Sequence, residues 1–275
     1  MEIRRAVVFP GQGTVGGEVS GEVREAVRRQ TGDDGVPYQL SVFARSVDLL
    51  YALRERGVEP DVVAGHSLGE YAAAHATGSL SLDDGVRLVA ERDRLMKEAS
   101  EQNPGGMVAV IGGDPMEVAN AIEDFPEEDG VVVAANFNTP RQTVISGEKS
   151  ALEAVGERIK GRKIPLEVAG AFHSPLMLEA SLAMEYLLEG TEFGEPRIPM
   201  VSAVDGAVLA TADDVRLALR NQMLSPVRWV EVISRFGDLG VEEVLEAGEG
   251  GTLVRMLRDF KSVDMKGRGA AELLA

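Results

Sequence analysis

The sequence predicts an α/β fold: a large α/β domain formed by residues 1–104 and 171–275, with a small domain, residues 105–170, inserted into it. Three observations lead there. The stretch Val62-Val63-Ala64-Gly65-His66-Ser67-Leu68-Gly69-Glu70 carries a short apolar strand into Gly-x-Ser-x-Gly, and an alanine-rich helix follows at once. From Gly105 a β-α-β-β-α-β order fits into about 65 residues, the split βαβ of a ferredoxin-like unit. At 275 residues and 44% hydrophobic, the chain has enough apolar surface for a full core.

Taken in order, the first strand is 6–9, closed by Pro10-Gly11-Gln12-Gly13, a tight loop whose one functional side chain is Gln12. A polar helix is predicted at 18–30 and a turn at 31–35. A helix follows over 38–56, with apolar residues at Leu40, Val42, Phe43, Val47, Leu50, Tyr51 and Leu53. After Pro60 comes the strand that ends at Ser67. Such a strand-to-helix turn is so tight that Gly65 and Gly69 must be nearly side-chain-free for the backbones to pass. It leaves the serine oxygen at a helix N-terminus, where N–H groups and the dipole can hold an oxyanion. A loop glycine pair around a serine N-cap would give the same five residues, but the strand before and the helix after favour an activated serine.

Ser81-Leu82-Asp83-Asp84 opens a helix running to about Ala99. Its apolar stripe is Leu88, Val89, Arg92, Leu95 and Met96, with Arg87, Glu91, Arg94 and Glu98 on the other face. Arg92 therefore lies in the middle of the stripe. A guanidinium keeps its proton, so a buried one demands a partner. That partner is one of the 45 acidic side chains or the carboxylate of a ligand, which the planar fork suits.

The inserted unit reads as strand 107–111, helix 114–123, strands 131–136 and 142–146, helix 150–160 and strand 163–168. Ala169-Gly170-Ala171-Phe172-His173-Ser174-Pro175 returns the chain to the large domain, and a Met-Leu-rich helix follows. The rest reads as strand 200–204, a helix opened by Thr211 and closed before Pro226, helix 229–239, strand 241–245 and helix 250–258. The last ten or so residues are expected to fray.

Composition narrows the function. A net charge of −17 argues against nucleic acid and anionic membranes as partners. No run approaches the ~18 apolar residues of a membrane span. The start, Met1-Glu2-Ile3-Arg4-Arg5, is too short before the first strand for a signal peptide. With no cysteine there is no thiolate nucleophile, and no metal site is expected; the expected compartment is the cytoplasm. A serine nucleophile needs a base, and there are three histidines. His66 adjoins Ser67, and neighbouring side chains point apart at a sharp elbow. His75 lies about 12 Å down the helix, at ~1.5 Å per residue. His173, in the loop between the two domains, remains. No aspartate singles itself out as a third member.

These pieces together resemble the malonyl-CoA:acyl carrier protein transacylases and the acyltransferase domains of fatty acid and polyketide synthases. The resemblance rests on Phe-Pro-Gly-Gln-Gly at 9–13, Gly-His-Ser-Leu-Gly-Glu at 65–70 and Arg92. It continues in Gly-Gly-Met-Val-Ala-Val at 105–110, Asn-Phe-Asn-Thr-Pro at 136–140, Ala-Phe-His-Ser-Pro-Leu-Met at 171–177 and Gln222 before Ser225-Pro226-Val227. The large domain is then α/β-hydrolase-like.

The resemblance implies that Ser67 is acylated, with His173 as its base and later its acid, oriented by a backbone carbonyl near Gln222. It implies backbone N–H groups of Gln12 and Leu68 as oxyanion donors, and Arg92 as the grip on a malonyl carboxylate. Phe172 matches the malonyl-selecting pattern of the polyketide relatives. Malonyl would pass from malonyl-CoA, a substrate, to Ser67 and then to the phosphopantetheine thiol of an acyl carrier protein, with no permanently bound cofactor. Arg158, Lys160, Arg162 and Lys163 form a local basic cluster, expected to dock that acidic carrier.

The chain also departs from the family pattern. Gln12 and Ser67 are only 55 positions apart, with a helical segment missing between Gln30 and Tyr38. Thr14-Val15-Gly16 stands where a glutamine is usual, and Gly248-Glu249-Gly250-Gly251 replaces Gly-Pro-Gly. Other readings are the malonyl-transferring subunit of a malonate decarboxylase, a plain serine hydrolase, and a catalytically silent carrier-binding scaffold.

Overall fold

A computed structural model describes residues 3–14, 16–32 and 34–274. Met1 and Glu2, Val15, Asp33 of the predicted 31–35 turn, and Ala275 lie outside the described residues. The apolar run at 6–9, with Arg5 before it, forms β1 (Arg5–Phe9), those four residues being buried on both faces as in a central parallel strand. It is followed by α1 (Gly21–Thr31), α2 (Tyr38–Glu55), β2 (Val62–Gly65), α3 (Gly69–Thr77) and α4 (Leu82–Gln102). The predicted Ser81 cap is present, its side chain accepting the Asp84 N–H. Helix α1 starts three residues later than expected, because Ser20 is held instead by the Asp48 carboxylate.

The next stretch is β3 (Gly106–Ile111), α5 (Pro115–Glu123), β4 (Val132–Thr139), β5 (Gln142–Gly147), α6 (Lys149–Arg158) and β6 (Arg162–Pro165). These strands form an antiparallel sheet in the order β4-β5-β3-β6, each helix crossing over one strand, which is the ferredoxin-like topology. The chain then forms α7 (Leu178–Glu189), β7 (Met200–Val201), β8 (Val208–Leu209), α8 (Ala212–Asn221), α9 (Trp229–Leu239), β9 (Glu243–Glu246), α10 (Thr252–Met256), β10 (Lys266–Gly269) and α11 (Ala270–Leu274).

The large sheet runs β10-β9-β1-β2-β7-β8, parallel throughout except for the β7–β8 hairpin. Alternation along β1 sends Val7 and Phe9 into the core under α2, α3 and α4, and Ala6 and Val8 into the core around Trp229 and Phe236. The large part is thus α/β-hydrolase-like, with Ser67 and the Gln12 loop at the carboxyl ends of adjacent parallel strands, where open α/β sheets place their ligands.

Two expectations are corrected. The strand predicted at 200–204 is two residues long, because Ser202 and Ala203 turn away into a hairpin. Residues 266–274 form a strand and a helix instead of the expected frayed end: β10 pairs with β9, Arg268 ion-pairs with Glu243, and Arg56 donates to the carbonyls of Leu273 and Leu274. Lys266-Gly267-Arg268-Gly269 has no apolar period to announce that strand.

Candidate active site

Gly65 and Gly69 meet the steric demand read from sequence. A Cβ on Gly65 would stand 2.1 Å from the Glu70 nitrogen, and one on Gly69 2.0 Å from the Phe9 carbonyl oxygen. Ser67 between them has φ 51°, and His173 has φ 58°, the two described non-glycine residues with positive φ. Such strain persists only where the surroundings hold it, and it gathers at functional sites.

The two strained residues meet. Ser67 Oγ lies 2.8 Å from His173 Nε2. On its other side His173 Nδ1 is 3.0 Å from both the Gln222 and the Ser225 carbonyl oxygens. Carbonyls only accept, so Nδ1 carries the proton and Nε2 offers its lone pair to the serine hydroxyl. Burial, with help from the Arg92 and His66 charges, pushes the His173 pKa down to about 4, so the ring is neutral and able to act as a base. The other histidines are occupied elsewhere: His66 Nε2 bonds Asn138 Oδ1 at 2.9 Å, and His75 bridges the Tyr51 hydroxyl and the Leu80 carbonyl.

Arg92 is 1% exposed and points at this pair. Its Nη2 donates to Ser67 Oγ at 3.2 Å, its Nε to Gln222 Oε1 at 3.2 Å, and its Nη1 to Gln39 Oε1. All three acceptors are neutral. Among the described residues no carboxylate is in ion-pair contact with it, and burial pushes its pKa down. Of the two partners open at the sequence level, the structural salt bridge is therefore missing.

Gln12, Ser67, Phe172 and His173 line one cavity of about 790 Å³, walled on the ferredoxin-like side by Met107 and by residues 166–169. Leu68, immediately after Ser67, is buried at the start of α3. Arg158 at the end of α6, Lys160 in the link after it, and Arg162 and Lys163 on the edge strand β6 are exposed, and the continuation of β6 forms that cavity wall. Lys160 ion-pairs with Glu117 and Arg158 lies over the Phe125 ring, whereas Arg162 has no such partner among the described residues.

Sequence reasoning missed Gln39, Asn138 and Glu70. Gln39 is a polar residue on the buried face of α2, and Glu70 an acid in a buried, alanine-rich helix, which are the signals that could have found these two. Arg45 on α2 holds Glu249 at 2.8 Å, Asp48 at 3.0 Å and the Glu18 carbonyl at 3.1 Å, tying α2 to the glycine-rich loop 248–251 beside the cavity.

Comparison with known proteins agrees with this geometry. The acyl transferase domain model matches residues 21–265. The malonyl CoA-acyl carrier protein transacylase of Bacillus subtilis is 36% identical over 224 residues, 80% of this chain and 71% of that protein. The crystal structure of the malonyl-CoA:acyl carrier protein transacylase of Xanthomonas oryzae superimposes with a TM-score of 0.89 at 30% identity, covering 98% of this chain and 95% of that one. A type II polyketide acyl-carrier protein in complex with its malonyl-transacylase gives 0.85 at 31% identity, covering 97% and 95%. With its elbow serine and histidine on one cavity and a buried arginine donating to that serine, the chain belongs to the acyl transferase family, among the malonyl-CoA–acyl carrier protein transacylases.

Proposed function

We propose that this chain moves a malonyl group from malonyl-CoA to the phosphopantetheine thiol of an acyl carrier protein through a malonyl-Ser67 intermediate. One observation carries the choice of acyl group: a buried arginine with no carboxylate partner among the described residues touches Ser67. The free carboxylate of a malonyl group is two bonds from its thioester carbon, so its binding cation must stand almost against the attacking oxygen. Arg92 Nη2, 3.2 Å from Ser67 Oγ, has that placement.

In the first half-reaction Ser67 Oγ attacks the thioester carbon while its proton passes to His173 Nε2. The Gln12 and Leu68 N–H groups hold the oxyanion. The C–S bond then breaks, and His173 returns the proton to the coenzyme A sulfur. In the second, the carrier thiol gives its proton to His173 and attacks the malonyl ester, and Ser67 leaves as the alcohol. Among the described residues no carboxylate backs His173; the Gln222 and Ser225 carbonyl dipoles stabilise the imidazolium. Burial is the main cause of the low His173 pKa, and the Arg92 charge adds to it. A malonyl carboxylate arriving at Arg92 would offset that added part, making the base somewhat stronger when substrate is bound. Phe172, buried on the cavity wall, limits space for an α-substituent. The division into residues 1–104 with 171–275 and 105–170 belongs to this reading, with the cavity between the two parts. So does a cytoplasmic setting, supported by a composition without cysteine.

The test is transfer to holo acyl carrier protein. Wild type should form malonyl-carrier and free coenzyme A in equal amounts. Release of coenzyme A with free malonate and no malonyl-carrier would make the protein a hydrolase instead. Reversing charge at Arg162 and Lys163 breaks no internal ion pair among the described residues, and is expected to raise KM for the carrier by about tenfold. KM for malonyl-CoA should not change. Equal KM values for the carrier would remove the basic patch from the docking surface.

A further inference from the structure

Glu70 is 0% exposed on the first turn of α3, behind the nucleophile and out of reach of any substrate. Its Oε1 accepts the Ala203 N–H at 2.9 Å, and its Oε2 accepts Gln222 Nε2–H at 2.6 Å. The second Nε2 hydrogen of Gln222 goes to the Ser67 carbonyl at 2.9 Å, and its Oε1 receives Arg92 Nε–H. Every polar atom of the Gln222 amide is therefore used, and the direction of the whole chain follows from one end. An ionised carboxylate only accepts, so the amide must turn its NH2 to Glu70 and its oxygen to Arg92.

We propose that Glu70 is a positioning residue that, through Gln222, fixes the orientation of Arg92 for a carboxylate-bearing acyl group. This rests on the reading of Arg92 as the malonyl grip. Glutamine at position 70 would have nearly the same shape but could accept from only one of the two donors. If it accepts from Ala203, its own NH2 faces the NH2 of Gln222. Gln222 must then flip, presenting N–H to the N–H of Arg92, and a buried donor left facing a donor is costly. Protonation of Glu70 has the same effect, because a hydrogen on either oxygen meets an N–H. The charged and titratable groups around it are Arg92 from α4, Asp205 from the loop after β7 and Tyr71 on its own helix. Burial, only partly opposed by the Gln222 and Ala203 hydrogen bonds and by Arg92, pushes the Glu70 pKa up to about 7.

The experiment compares two acylations of Ser67 in the full-length protein: loading by malonyl-CoA, and acetylation by p-nitrophenyl acetate, which has no carboxylate to grip. In wild type the ratio of the two rates should fall as pH drops through about 7, following protonation of Glu70. In Glu70→Gln the ratio should be lower by about tenfold or more at pH 8, the effect of one mismatched buried donor. It should also be flat from pH 6 to pH 8. Because both rates come from one protein sample, loss of folded enzyme lowers them together and leaves the ratio alone. An unchanged ratio, or a wild-type pH dependence retained in Glu70→Gln, would overturn the proposal. Arg92→Ala in the same assay separates it from its premise. If that variant keeps the wild-type ratio, the grip itself is wrong; if it loses the ratio while Glu70→Gln does not, only the role of Glu70 fails.

Discussion

Arg92→Ala should lower kcat/KM for malonyl-CoA by about 10²–10³-fold, the ~3–4 kcal/mol of a buried charged hydrogen-bonded pair left with one partner. Reaction with acetyl-CoA, which offers no carboxylate, should fall far less, so the preference between the two acyl groups collapses or inverts. Stability should move the other way. In the free protein Arg92 is buried against neutral acceptors, and burial lowers its pKa, so its charge is a cost to the fold. Arg92→Met keeps much of the volume and removes that cost, and its Tm should equal or exceed that of wild type. An arginine that merely held the core together would give the opposite result, a lower Tm with malonyl preference intact. Thermal melts and paired acyl-CoA kinetics on the two variants distinguish these outcomes.

His173→Ala should reduce acylation of Ser67 by about 10²–10⁴-fold, the usual worth of a positioned general base. Above a pKa of about 4 the ring is neutral and holds its lone pair toward Ser67, and that capacity is lost as pH falls through this value. The same shift makes a stability prediction whose sign can be worked out. Between about 4 and the ordinary 6.5 the unfolded chain binds a proton at His173 that the folded one does not. Stability from this site is therefore complete above 6.5 and declines as pH falls toward 4. Removing the ring should remove that part of the acid sensitivity, so urea midpoints for wild type and His173→Ala should converge as pH is lowered from 7 to 5. A constant difference would mean that the histidine is not held neutral by burial.

What could be read from the sequence was whatever sterics or period enforce. Gly65 and Gly69 announced the elbow because no other residue fits where backbone atoms stand about two ångströms from a Cβ. The ferredoxin-like unit was legible because its strands and helices have ordinary lengths and alternate cleanly. Arg92 was legible as a cation on an apolar stripe, and His173 by exclusion among three histidines. What stayed hidden depends on distant pairing. Ser202 and Ala203 have an apolar flank like strand residues, yet their backbone serves a hairpin and a cap on Glu70. Gln39 and Gln222 are 183 positions apart in the chain and meet only at Arg92. The β10 strand consists of charged residues and glycines, and exists because the edge of β9 is there to receive it.

The most direct measurement is intact-protein mass spectrometry after brief mixing with malonyl-CoA, on wild type and Ser67→Ala. Covalent transfer through the elbow serine predicts one adduct of about 86 Da on wild type, discharged by holo acyl carrier protein, and none on Ser67→Ala. No adduct on wild type, with coenzyme A released no faster than in a blank, would contradict the malonyl-serine mechanism and leave a protein that binds a carrier without acylating it.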